Sequence, residues 1–136
     1  MKQLTIDGVP VAKGRPRLGR YGTYTPKKTQ EYEEYVKMCW VAKYGAIQPA
    51  EQPLEMNIVF YMPIPKSYSK KQRAEILNGR LKHTKKPDID NLIKSVLDAL
   101  NGLAYADDSQ IIKVTAVKRY AEKGSTELTI KEGETP

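Results

Sequence analysis

The sequence predicts a single α+β domain over residues 1–136, and three patterns carry that reading. Residues 26–44 and 89–100 repeat apolar side chains at helical spacing, residues 54–62 alternate them one by one, and residues 111–131 hold two β-rich runs. A chain of this length encloses one hydrophobic core. No apolar run nears the ~20 residues that span a bilayer, and the opening MKQLTIDGVP lacks the apolar stretch of a secretory leader. The expectation is a cytoplasmic protein with no membrane partner.

Taken in order, Leu4 to Asp7 supplies an edge strand. Residues 13–28 read as a flexible basic loop, in which six Lys and Arg are interleaved with Gly14, Gly19, Gly22, Pro16, Tyr21 and Tyr24 without one acid. Thr25-Pro26 opens a helix to about residue 44, with Thr25 as N-cap and Pro26 in the first turn. Tyr32, Tyr35 and Trp40 of that helix belong to the core. Leu54, Met56, Ile58, Phe60 and Met62 form one face of a half-buried strand that Pro63 and Pro65 end. A short helix follows from Ser69 to about Asn78, stopped by Gly79.

The clearest helix comes next. Ile89, Leu92, Ile93, Val96, Leu97 and Leu100 make an apolar stripe, and Asn101-Gly102 ends it. Ile111–Tyr120 and Ser125–Lys131 around Glu122-Lys123-Gly124 read as an antiparallel hairpin.

Charge narrows the function. The net charge is +7, and residues 66–86 hold eight of the 23 Lys and Arg against one acid, Glu75, beside the six in 13–28. A polyanion such as nucleic acid fits that balance. The residues placed on it are Lys13, Arg15, Arg17, Lys27, Lys28, Lys70, Lys71, Lys85 and Lys86, with His83 among them, and Tyr21, Tyr24 and Tyr68 stand ready to stack on bases. One cysteine, Cys39, and one histidine make a zinc site poor chemistry here. A catalytic metal would be a hard cation on carboxylate oxygens, Mg²⁺ or Mn²⁺.

The carboxylates in question are Asp88 and Asp90, at the start of the amphipathic helix where its dipole favours anions, and Asp107-Asp108, just before the strand at Ile111. Asp90, Lys94 and Asp98 share one edge of the helix at i, i+4 and i+8. The spacing predicts that a short return from the helix brings Asp107-Asp108 back to Asp88, where a divalent cation would relieve the repulsion. Lys94 would then contact a phosphate as charge grows on it. Each group also has a plain alternative: Asp88 as a helix cap, Lys94 as an ion-pair partner of Asp90, Asp107-Asp108 as a solvated turn, and His83 as an exposed bystander.

With GRPR at Gly14–Arg17, YTPKKT at Tyr24–Thr29, PIPKSYSKKQR from Pro63, HTKKPDIDNLIKSVLDAL from His83 and YADDSQI from Tyr105, the chain resembles the RusA-type Holliday junction resolvases over nearly its whole length. The resemblance implies a homodimer that requires Mg²⁺ or Mn²⁺ and nicks opposed strands of a four-way DNA junction. It implies Asp88, Asp90 and Asp108 as essential aspartates and Lys94 as the essential lysine, with Asp107 and His83 as supporting residues. It also contributes to the expected architecture, a mixed, largely antiparallel sheet flanked by helices. Two other readings stand beside it: a non-catalytic basic nucleic-acid-binding protein, and a nuclease acting on RNA or other branched DNA.

Overall fold

Alternation of apolar residues through 54–62 places one strand at the centre of everything else. In the computed structural model, which describes residues 1–133, the elements are β1 (Lys2–Asp7), β2 (Arg17–Gly19), β3 (Gly22–Tyr24), α1 (Lys27–Tyr44), β4 (Leu54–Pro63), α2 (Lys70–Leu77), α3 (Ile89–Leu100), β5 (Ile111–Ala121) and β6 (Ser125–Glu132). A single 3-10 turn, Asp108–Gln110, leads into β5.

β4 lies inside a four-stranded mixed sheet of order β1-β6-β4-β5, antiparallel to β6 and parallel to β5. Its register sets Met56 beside Ile130 and Val114, and Ile58 beside Leu128 and Ala116, so these residues point to one face. Leu4 and Ile6 of β1 extend that face through Leu128 and Thr126. Tyr32, Val36 and Trp40 of α1 and Leu92, Val96, Ala99 and Leu100 of α3 complete the same buried cluster. The opposite face keeps Asn57, Lys113, Thr115 and Glu127 in solvent. The fold is α+β, as the sequence predicts.

Several local expectations hold for the expected physical reasons. Ser69 caps α2 in a reciprocal box with Gln72, each side chain bonding the other's backbone N–H. Gly79 and Gly102 take positive φ just beyond helix ends, and Asp88 occupies the N-cap position of α3 without a side-chain capping bond.

Others are corrected. β5 and β6 are consecutive and joined by a short turn, yet they do not form a hairpin, because β4 inserts between them. The reason is burial: β4 is apolar at every second position and takes the interior, whereas β5, with Lys113, Thr115 and Arg119, tolerates the edge. The parallel β4–β5 pair is then bridged by the segment containing α2 and α3. α1 starts at Lys27 with Pro26 in the cap position, so Thr25 does not cap it. Tyr35 is exposed, because the buried face of α1 repeats every four residues through Tyr32, Val36 and Trp40. The glycine-rich basic loop is partly ordered as the small β2–β3 hairpin.

Trp40 is 1% exposed at the centre of the helix layer. Trp40→Ala is expected to cost about 3–5 kcal/mol of stability, read as a lowered midpoint in urea unfolding.

Candidate active site

α3 divides its residues cleanly between core and solvent. Leu92, Val96, Ala99 and Leu100 are buried, while Asp90 and Lys94 are exposed and Asp98 is half-buried. Asp88 sits at the N-cap with extended backbone (φ −69°, ψ 142°), but its carboxylate makes no capping bond. It faces Lys86 instead, at 3.5 Å. Asp90, in the first turn, has neither a hydrogen bond nor an ion pair among the described residues. Two carboxylates two residues apart thus stand at the positive end of a helix, largely uncommitted, and that donor set suits a hard cation.

The backbone beneath them is held from two sides. Lys118 of β5 donates from Nζ to the carbonyls of Lys85 (2.9 Å) and Pro87 (3.0 Å). The Lys13 amide donates to the Asn91 carbonyl at 2.9 Å. Lys118 was not among the residues singled out by sequence. Its signal was phase: it pairs with Phe60 on the buried side of the sheet, where a lysine needs partners.

Lys13, expected at the DNA surface, is turned inward. Its side chain is 16% exposed and is paired with Glu33 at 2.5 Å and Asp98 at 3.2 Å. Burial works against its charge, but the hydrogen bonds and negative charges of Glu33 and Asp98 outweigh that and raise its pKa. Two carboxylates within one contact shell out-compete solvent for this ammonium, so Lys13 ties α1 to α3. Lys94 pairs with Asp98, 3.7 Å away, one turn on rather than one turn back.

The second acidic pair lies elsewhere. Asp107 accepts a hydrogen bond from the Ser109 hydroxyl at 2.5 Å, which holds its carboxyl below the usual range. Its own amide bonds the Gln110 side chain. Asp108 opens the 3-10 turn and lies near Tyr105, whose hydroxyl donates to the Leu97 carbonyl at 2.6 Å. Burial, then the charges of Asp108 and Asp98, push the Tyr105 hydroxyl far above its ordinary pKa.

The expected meeting of Asp108 with Asp88 and Asp90 therefore does not occur inside one chain. β5 places Lys118 against Pro87 at the start of α3, while the residues leading into β5 pack near the Leu97 end. Leu97, which the Tyr105 hydroxyl beside Asp108 contacts, lies two turns along α3 from Ile89, roughly 12 Å at 1.5 Å per residue, so Asp108 is displaced toward the C-terminal half of the helix. Among the described residues no three His, Cys, Asp or Glu side chains gather to hold a metal ion. The short return from α3 delivers Asp107-Asp108 to the helix C-terminus, and β5 then runs back alongside the helix.

The other cations face solvent. Arg15, Arg17, Lys28, Lys70 and Lys71 are exposed and have no acidic partner among the described residues; Lys27 pairs loosely with Glu31 at 3.9 Å, and Lys85 lies over the Tyr68 ring, 5.4 Å from its centroid. Tyr21 and Tyr24 are exposed, whereas Tyr68 bonds Tyr120 through their hydroxyls at 3.1 Å. His83 is half-buried where an exposed residue was the alternative: its ring meets the Tyr120 ring edge-on at 5.0 Å, and its buried Nδ1 has no hydrogen-bond partner among the described residues. Among the described residues no helix is long and apolar enough to cross a membrane.

An α+β domain with an acid-bearing helix start and unpaired surface cations is matched, across residues 7–131, by a family model of endodeoxyribonucleases. That family is Endodeoxyribonuclease RusA, and the chain belongs to it. The chain is 37% identical over 136 residues to "Uncharacterized protein YqaN" of Bacillus subtilis (strain 168), an alignment covering 96% of this chain and 95% of that protein. It is 35% identical over 81 residues to "Crossover junction endodeoxyribonuclease rusA" of Lactococcus phage r1t, covering 59% of this chain and 55% of that one.

Burial, then the positive charges of Lys118 and Lys85, lower the His83 pKa below 6.5. Between its folded pKa and 6.5 the unfolded chain binds more protons, so His83 costs no stability above that window and destabilises the fold as pH falls through it. The thermal midpoint is expected to drop between pH 7.5 and 5.5, and to drop less in His83→Phe; equal slopes for the two proteins would assign the loss to other groups.

Proposed function

We propose that the chain resolves four-way (Holliday) DNA junctions by paired, Mg²⁺- or Mn²⁺-dependent hydrolysis of phosphodiester bonds, acting as a homodimer. The observation that carries this reading is the pair Asp88, held only by Lys86, and Asp90, without a partner among the described residues, at the positive end of α3 beside exposed cations without acidic partners, in a member of the RusA family. The name of the Lactococcus phage relative points to the same substrate. Asp88, Asp90 and Asp108 would hold the metal. Bound there, it supplies polarisation of the phosphodiester and a more acidic water.

The chain's own residues do the rest. Lys94, exposed one turn beyond Asp90, presents an ammonium to the phosphate, while Arg15, Arg17, Lys28, Lys70 and Lys71 draw in the backbone with an affinity that falls as salt rises. Asp107, bonded to Ser109, orients the turn that carries Asp108.

Homodimerisation accounts for the separation of Asp108 from Asp88 and Asp90. β5 ends the sheet, and its outer edge has no strand partner among the described residues. Ile112 (59% exposed) and Val114 (36%) lie along it. An open edge of eleven residues is a template for another strand. Antiparallel pairing of two such edges about a two-fold axis carries the Asp108 end of one copy toward the Lys118 end of the other, where α3 begins.

Incubating the protein with a four-way junction, linear duplex and single-stranded RNA, with and without Mg²⁺, separates this reading from its rivals. Selective junction cutting is expected; equal cutting of all three, or none, sinks it. Asp90→Asn and Asp108→Asn are each expected to cut at least 100-fold more slowly while binding the junction as tightly as the parent. Mixed dimers of the two variants retain one intact site if Asp108 acts across the interface, and should recover single-strand nicking. Mixed dimers that stay inactive would return Asp108 to its own subunit.

A further inference from the structure

A cavity of about 610 Å³ opens beside the start of α3, and of its lining only the cations enter the reading above. Its lining includes Val11, Ala12 and Met62 as an apolar floor, and Arg15, Lys28 and Lys86 at the rim. Val11 and Ala12 pack against the core and Met62 is buried, whereas the three cations are exposed. Among the described residues no acidic residue and no aromatic ring lines it. Such a space, apolar below and positive above, fits a flat uncharged group attached to phosphates.

The walls are fixed. The Gly14 amide donates to the Thr29 hydroxyl at 3.0 Å, and a Cβ on Gly14 would stand 2.9 Å from the Pro26 ring, so this loop is seated tightly on the start of α1. The amide of Lys13, in the same loop, holds the Asn91 carbonyl of α3. Pro87, also in the lining, directly precedes Asp88. A group bound here lies one residue along the chain from the proposed metal ligands.

We infer that this cavity receives one unstacked nucleobase of the DNA strand, with its flanking phosphates on the rim, next to the bond to be cut. The inference rests on the junction reading and deepens it: the pocket gives an enzyme that binds DNA by shape a means of preferring one base beside the cut. The occupant is chosen by charge. The exposed cations Arg15 and Lys28 lack acidic partners among the described residues, which suits a phosphodiester on either side of a base and opposes a basic or apolar protein segment.

The test uses the full-length protein without metal and four-way junctions carrying 2-aminopurine at successive positions around the crossover. An unstacked 2-aminopurine in a site with no aromatic ring is bright, so at one position fluorescence should rise several-fold on binding. Ala12→Leu fills the floor, and Val9→Trp, at an exposed lining position, either plugs the mouth or quenches the base. Both variants should lose that rise, keep junction affinity within about threefold, and flatten the preference among junction sequences in Mg²⁺-dependent cutting. The inference is overturned if no position brightens, if both variants brighten like the parent, or if they change the oligomeric state instead. A parent that binds and cuts junctions without brightening defeats this inference alone; a parent that neither binds nor cuts defeats the junction reading.

Discussion

The apolar face of β4 is the constraint on which the remaining structure hangs. With Met56, Ile58, Phe60 and Met62 each at most 4% exposed, this strand has to lie inside the sheet and under a helix layer. That requirement places β6 and β5 on its two sides and lays α1 and α3 across the shared face. Once α3 commits Leu92, Val96 and Leu100 to that face, helical geometry leaves Asp90 and Lys94 in solvent. The site is a by-product of core packing, positioned by side chains that never touch it. Lys118 completes the link, since the strand that bounds the sheet also holds the carbonyls just ahead of Asp88.

What was legible in the sequence was what local periodicity controls. β4, α1 and α3 follow from apolar spacing, and the cap at Ser69 follows from a side chain that needs a partner three residues on. What was illegible depends on contacts distant in sequence. A turn at Glu122-Lys123-Gly124 between two β-rich runs reads as a hairpin, and nothing local reports that a more apolar strand displaces one partner from the other. Lys13 looked like its neighbours Arg15 and Arg17, because Glu33 and Asp98 are 20 and 85 residues away. Asp107-Asp108 was correctly linked to the return from α3, but the direction of β5 decides which end of the helix that return reaches. The aspartates at the start of α3 were recognisable from dipole and spacing, whereas their companions belong to tertiary, and as proposed quaternary, structure.

Electrostatics divides the surface into charges already satisfied and charges left over. Glu33 and Asp98 absorb Lys13, Asp98 also takes Lys94, and Glu122 takes Arg73. Those bonds secure the framework. Arg15, Arg17, Lys28, Lys70 and Lys71 remain without acidic partners among the described residues, on a loop, the β2–β3 hairpin and helix starts at the surface. A protein of net charge +7 gains nothing in stability from such repulsion, so these groups are best explained by an external polyanion. Asp88 and Asp90 are the counterpart inside that field: two acids at the positive end of α3, where Asp88 has only Lys86 at 3.5 Å and Asp90 has no side-chain partner among the described residues.

Splitting the carboxylates between two copies gives this arrangement a physical logic. A complete set within one chain would bind metal and attack any phosphodiester its cations could hold. If Asp108 reaches Asp88 and Asp90 only across β5, a lone subunit is electrostatically able to bind DNA yet short of a ligand. Assembly then becomes the step that licenses chemistry. Because a two-fold axis would create both composite sites at once, each copy in the proposed dimer would gain its missing carboxylate together with its partner. A four-way junction offers two equivalent strands related by nearly the same symmetry, so the paired sites and the paired bonds match without further adjustment. The open edge of β5, a liability in an isolated sheet, would make that proposed coupling possible.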